Sequence, residues 1–281
     1  MGENTKRLVG ASIIPVMRDP IYDNIYFILG KERRFPSWTD SETWADFGGS
    51  VRFDPINNQG ETAEHCAARE TWEETMCLLR CSRPAGADDD FARTLTDLHE
   101  TLLEHRYVMK TEVTQPDGAS YTTWVIEVPW DSQIATRFSR VSKVMRAFAR
   151  EPSSAYNQSQ VVKLGFSHHP CIRRRSANVT TVNSCFLEKT SVGLFSTPAL
   201  VRAIEHDNVL VRRHSRIETL RGTFAARLRL VLRHLGYSNA LSRTSRHPTP
   251  VCKGISWAYY DTPSNASPGD TDKGKKESSS H

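Results

Sequence analysis

Glu70, Glu73 and Glu74 stand at positions i, i+3 and i+4, so a helix through them would gather three carboxylates on one face. Like charges held that close repel. A hard divalent cation, bound through oxygen ligands, offsets that cost directly. Arg69 precedes the cluster and Glu61 lies eight residues before Arg69, about two helical turns away. The pair can brace the cluster if the chain bends back at the helix start. The spacing thus points to a divalent-cation site.

The elements that must position these groups can be read from residue types. Residues 8–16 (LVGASIIPV) are rich in β-branched and small apolar residues and predict a strand; residues 24–30 (NIYFILG) predict a second. Asp19, Pro20, Asp23 and Asn24 supply the turn between them, so the pair reads as a meander. Trp44 to Phe47 alternate apolar and polar and end in Gly48-Gly49, where a ligand can approach the backbone closely. A polar, turn-rich loop follows over 53–60. Residues 61–75 predict the helix that carries the carboxylates, with Thr62 as N-cap, Glu61 and Glu64 in its first turn, and Ala63, Ala67 and Thr71 as its buried stripe.

Further on, helices are expected over 91–104 and 136–150, the latter with Phe138, Val141, Val144, Met145 and Phe148 on one face. Residues 121–129 (YTTWVIEVP) and 186–195 read as strands, and residues 81–90 and 151–160 as loops. A helix begins at 198–206, 209–213 is a short apolar piece, and 221–235 is a helix ended by Gly236. From 263 the composition collapses to Ser, Asp, Gly and Lys, and a disordered tail is expected there.

The string Glu61…Arg69-Glu70-x-x-Glu73-Glu74 resembles the signature of the Nudix hydrolase superfamily, G-x5-E-x7-R-E-U-x-E-E-x-G-U with U apolar. Gly49 matches the leading glycine and Cys77 the last apolar position. Two departures stand out. Gly49 lies twelve positions before Glu61 instead of six, so the loop carries an insertion, which can bulge outward without moving the helix. Met76 replaces the second glycine, and Thr71 is less apolar than usual.

The resemblance implies an α/β fold: a Nudix α/β/α sandwich with a mixed sheet, spanning 6–236. Residues 130–180 would be an enlargement, 237–262 a C-terminal extension and 263–281 the tail. It implies a pyrophosphohydrolase acting on a nucleoside diphosphate linked to another moiety, with Mg²⁺ or Mn²⁺ held by Glu70, Glu73 and Glu74, the Gly49 carbonyl being an extra ligand. Glu188 or Glu127 would be a general base outside the box. Arg33 and Arg34 would meet phosphate, and Trp44, with Trp38, would stack on a base.

Composition narrows the partners. A net charge of +5 and a pI near 8.9 suit an anionic ligand, a small nucleotide or the 5′ phosphates of an RNA. The runs Arg173-Arg174-Arg175 and Arg212-Arg213 favour the RNA variant slightly. Six cysteines form no CxxC pair, which reads as reduced thiols with no disulfide-linked partner. His168-His169-Pro170-Cys171 matches no standard zinc spacing. No signal sequence or apolar span is evident, so a cytoplasmic location away from membranes is expected. The alternative function class is a non-catalytic module of the same fold that binds RNA or nucleotides.

Overall fold

The computed structural model describes residues 7–38, 40–54, 59–81, 91–114, 118–166, 169–176, 179–211 and 217–237. In chain order the elements are β1 (Arg7–Arg18), β2 (Ile25–Glu32), β3 (Trp44–Ala45), β4 (Phe47–Ser50), β5 (Phe53–Asp54), β6 (Gln59–Gly60), α1 (Ala63–Glu74), α2 (Phe91–Leu103), β7 (Met109–Thr114) and β8 (Ala119–Glu127). Then come α3 (Ile134–Arg150), α4 (Ala155–Lys163), β9 (Ile172–Ser176), β10 (Val179–Val182), a 3-10 turn (Ser184–Leu187), β11 (Lys189–Ser196), α5 (Thr197–Glu205), β12 (Val209–Val211), β13 (Ile217–Thr219) and α6 (Gly222–Leu232).

One seven-stranded sheet runs β11-β2-β1-β8-β7, with β3 on β2 and β4 on β1. It is mixed: β1 pairs antiparallel with β2 and β4 but parallel with β8. Strand β1 is apolar on successive residues rather than alternate ones, because both of its faces are covered. On one face α1, α2 and α3 bury Ala67, Leu98, Phe138 and Met145 with Ile13 and Trp124. On the other, α5 and α6 bury Leu200, Phe224, Leu228 and Val231 with Phe27, Leu29 and Phe195. This is the mixed-sheet α/β/α sandwich expected.

The β1–β2 meander forms as expected, and Asp19 closes its turn by accepting from the Ile21 and Tyr22 N–H groups. Other expectations need correction. Residues 151–160 hold α4 rather than a loop: Ser154 caps it by accepting from Asn157 N–H, and Asn157 fastens it to α3 by donating to the Ala147 carbonyl at 3.2 Å. The strand expected from 186 starts at Lys189, since Phe186 is drawn into the core against Trp72 and His169 and leaves the preceding residues in a 3-10 turn. Edge strand β7 had no counterpart in the sequence reading.

The segment from α3 to β10 shares the core of the α1 face, with Val161, Phe166 and Cys171 buried there. Five cysteines, Cys66, Cys77, Cys81, Cys171 and Cys185, are free thiols. Among the described residues no helix is long and apolar enough to cross a membrane. Cys252, Arg212-Arg213, most of the 81–90 loop and the tail lie outside the described residues, as do the side chains of Arg173-Arg174-Arg175.

Candidate functional site

Helix α1 starts as its sequence requires. Thr62 is the N-cap and accepts from His65 N–H at 3.2 Å. Glu61 lies just outside the helix, and this lets it fold back on Arg69. The Arg69 guanidinium forks onto it, Nε to Oε1 and Nη2 to Oε2, each at 2.8 Å. Burial raises the Glu61 carboxyl, but the Arg69 hydrogen bonds and charge, the Arg52 N–H and His65 together outweigh it and bring the pKa down to about 2. Arg69 also reaches Glu70 Oε1 at 2.6 Å and Glu73 Oε2 at 3.2 Å through Nη1, and donates to the Ser50 carbonyl from Nη2. One buried arginine therefore fixes three of the glutamates and the end of β4.

Residues 55–58 of the insertion lie outside the described residues, and its base is defined. Arg52 and Glu61 close its base: the Glu61 N–H donates to the Arg52 carbonyl at 2.9 Å, and the Arg52 N–H donates to Glu61 Oε2 at 3.1 Å. Between them Phe53 pairs with Gly60 and Asp54 with Gln59, a short antiparallel β5–β6 hairpin base that leads into the start of α1.

At both glycines of β4 a Cβ would collide with atoms now in place. At Gly48 a Cβ would lie 2.2 Å from the Ser12 Cβ; at Gly49 it would lie 2.6 Å from the Glu70 carboxyl carbon. The Glu70 side chain thus rests against bare backbone. Ladder pairing of Gly48 with Ser12 and Gly49 with Ala11 places β4 under α1.

The helix ends in a Schellman arrangement: the Cys77 N–H donates to the Trp72 carbonyl at 2.8 Å and the Met76 N–H to the Glu73 carbonyl at 3.1 Å. Met76 has φ +53°, the left-handed conformation that glycine adopts without strain, and Cys77 follows at +59°. The turn geometry is kept without the glycine. The Thr71 hydroxyl, in place of an apolar group, is buried without a hydrogen-bond partner.

The three carboxylates expected on one metal are each held by a cation of the chain. Glu70 meets Arg69. Glu73 accepts from Arg52 Nη2 with both oxygens, at 3.0 and 2.9 Å. Glu74 is buried, accepting from Gly48 N–H at 2.9 Å through Oε2 and lying 3.2 Å from Lys189 Nζ through Oε1. Lys189 is itself buried and bonded to Glu32 at 2.6 Å. Burial alone would lower the Lys189 ammonium, but Glu74 and Glu32 raise it, so it stays charged. Burial also pushes the Glu74 carboxyl well above the usual range, against the pull of Lys189. Glu74 therefore belongs to a core ion-pair network rather than to the open face. Among the described residues no three His, Cys, Asp or Glu side chains form a ready metal cage.

Glu188 feels the charge of this cluster. Burial and then the negative charge of Glu70 raise its pKa, with Glu73 adding to the effect. Its carbonyl accepts from Arg33 N–H at 2.8 Å. Arg146 on α3 donates to the carbonyls of Leu187 and Lys189, both at 2.7 Å, and so clamps the chain on either side of Glu188. Glu127 is elsewhere: it pairs with Val16, toward the far end of β1, and lies 3.5 Å from Arg18. It is no candidate base.

Trp44 also needs correction. It is fully buried, donates from Nε1 to Glu218 at 2.7 Å and packs edge-on against Phe195, so no base can stack on it. Arg34 is solvent-exposed, 3.9 Å from Glu42, and Arg33 lies over the Phe35 ring. Trp38 has its face covered by Arg221 at 4.8 Å. Sequence reasoning missed Arg52, Lys189, Arg146 and Glu32. Arg52 carried a signal, being a basic residue inside the stretch inserted into the box; the others are set by tertiary contact alone.

Glu70 and Glu73 offer oxygen donors of the kind a hard divalent ion takes. Glu32, Glu61, Glu70, Glu73, Glu74 and Glu188 outnumber the cations Arg52, Arg69, Lys189 and Arg221 that pair with them. The surplus is negative and carried by oxygen ligands.

No family model matches the chain, and no curated protein does. Solved structures do. A mutT/nudix family protein from Listeria innocua overlaps 85% of this chain and 99% of its own, at 11% identity and a TM-score of 0.38. A NUDIX hydrolase from Alicyclobacillus acidocaldarius overlaps 88% and 100%, at 12% identity and a TM-score of 0.36. The T. brucei MERS1–RNA complex overlaps 70% and 54%, at 11% identity and a TM-score of 0.31. The sandwich rests on the sheet order and flanking helices described above.

Proposed function

We propose that this protein is a Nudix-type pyrophosphohydrolase, dependent on a divalent metal ion, that cleaves a diphosphate linkage in a nucleoside diphosphate-linked substrate. The observation that carries this reading is the Arg69 fork on Glu61, with the same guanidinium reaching Glu70 and Glu73. Glu70 and Glu73 would hold Mg²⁺ or Mn²⁺. When bound, such an ion acidifies water and neutralises charge developing on phosphate oxygens.

The chain's own residues supply the rest. Gly49 leaves room for the Glu70 carboxylate to lie against the backbone. Glu74, through Gly48 N–H and Lys189, holds α1 in register with β4. Glu188, with its pKa raised and the chain clamped by Arg146, would accept a proton from the attacking water. Arg33 and Arg34, following β2, would contact the phosphates.

The second reading is a binding module without turnover. What favours it is that the oxygens of Glu73 and Glu74 are already engaged within the chain, by Arg52 for Glu73 and by Lys189 and the Gly48 N–H for Glu74. One experiment separates the readings and the substrates: hydrolysis with Mg²⁺ or Mn²⁺ across nucleoside triphosphates, dinucleoside polyphosphates, nucleotide sugars and 5′-triphosphorylated or capped RNA, with affinity measured against salt. Metal-dependent cleavage supports the enzyme, and a steep salt slope points to RNA. Binding without cleavage across the whole panel would leave the module.

A further inference from the structure

Arg52 sits at the foot of the inserted hairpin. Its main chain is pinned to Glu61 by bonds in both directions. Its side chain spans the gap to α1, where Nη2 serves both oxygens of Glu73. Glu73 is 5% exposed while Arg52 is 57% exposed. Glu73 thus has two arginines, and they are not equivalent. Arg69 is 6% exposed and committed to Glu61, so it cannot leave without breaking the box. Arg52 has Glu73 as its side-chain partner and water on its other side.

A divalent ion approaching Glu73 needs the oxygens that Arg52 occupies, and the two cations repel. The freed guanidinium stays close, because its backbone is fixed. A planar fork beside a metal site is suited to a phosphate oxygen pair.

We propose that Arg52 is a removable counter-ion of Glu73: it holds the carboxylate until a divalent ion displaces it, and it then grips a phosphate of the substrate's diphosphate. The inference rests on the metal-dependent reading above.

The test uses the full chain and two binding measurements. Mn²⁺ affinity is read by calorimetry and by the electron paramagnetic resonance of free Mn²⁺, for wild type and Arg52→Gln. Affinity for α,β-methylene-ADP, whose P–C–P link resists hydrolysis, is then read at saturating Mn²⁺. Arg52→Gln should bind Mn²⁺ about fivefold more tightly, as removal of one half-exposed competing charge implies. It should bind the analogue about tenfold more weakly, having lost a charge-assisted phosphate contact. Mn²⁺ binding that is unchanged or weaker in Arg52→Gln overturns the counter-ion role. Tighter Mn²⁺ with unchanged analogue affinity overturns the phosphate role. If neither protein binds Mn²⁺, the metal-dependent reading itself falls, and this inference with it.

Discussion

His169 donates its Nε2 proton to the carbonyl of Met76 across 3.2 Å, and its Nδ1 accepts from Cys171 N–H at 3.1 Å, which fixes the tautomer. The contact ties the region between α3 and β11 to the last turn of the carboxylate helix. Both ring nitrogens are engaged by backbone, so the His-Pro-Cys stretch offers no imidazole lone pair to a metal. Burial keeps the ring neutral, lowering its pKa to about 4 from an ordinary 6.5. The unfolded chain therefore binds a proton that the folded one refuses between those values. Stability from this group is complete above pH 6.5 and is lost as pH falls toward 4. The wild type should lose about 2–3 kcal/mol between pH 7.5 and 4.5 that His169→Phe does not, read from urea midpoints. Parallel loss in the two proteins would contradict the assignment.

Met76 reverses an ordinary preference. Its φ of +53° favours glycine, yet its side chain is buried. Met76→Ala loses the packing and keeps the strain; Met76→Gly loses the packing and relieves it. Both should be less stable than wild type, with Met76→Gly above Met76→Ala by about 1 kcal/mol. In a helix interior the order would be the opposite.

The two glycines of β4 should fail differently. An added Cβ at Gly48 meets Ser12 backbone and side chain and cannot be accommodated cheaply, so Gly48→Ala should lower the urea midpoint strongly. At Gly49 the added carbon meets the mobile end of Glu70. Gly49→Ala should keep most of its stability and lose turnover by about 100-fold, since the displaced carboxylate is misplaced for chemistry. Equal stability losses at both positions, with activity retained in Gly49→Ala, would count against this division.

Lys189 is the shared cation of Glu32 and Glu74. Lys189→Met strands two buried carboxylates and should cost about 3–5 kcal/mol in urea unfolding, while adding Glu74→Gln should recover part of it. A cost below about 1 kcal/mol would mean that the carboxylates are solvated, contrary to their burial.

The backbone of the site was legible because its charges come at fixed spacing on a helix. Thr62, Glu61 and Arg69 could be placed from sequence, and the contact found is the one that the spacing implied. The sheet strands announced themselves through β-branched runs. Helix α4 did not, since AYNQSQVVK lacks an apolar period and is held by Asn157 and the Ser154 cap. Strand β7 lies at the edge of the sheet, where its mostly exposed side chains carry little pattern. Trp44 misled because an indole beside a polar loop looks available for stacking; its partner Glu218 lies 174 residues away. The cations opposite Glu73 and Glu74 were equally out of reach, because Arg52 and Lys189 arrive by a hairpin and by a strand on the other side of the box.

The central claim is metal-dependent hydrolysis at the Glu70 and Glu73 carboxylates. Its most direct test is cleavage of the best substrate of the panel with and without Mn²⁺, by wild type, Glu70→Gln and Glu73→Gln. The account predicts turnover by wild type only with the metal, falling by about 100-fold or more in each variant while the urea midpoint moves little. Cleavage that persists in both variants, or nucleotide binding with no cleavage by wild type on any substrate, would contradict it.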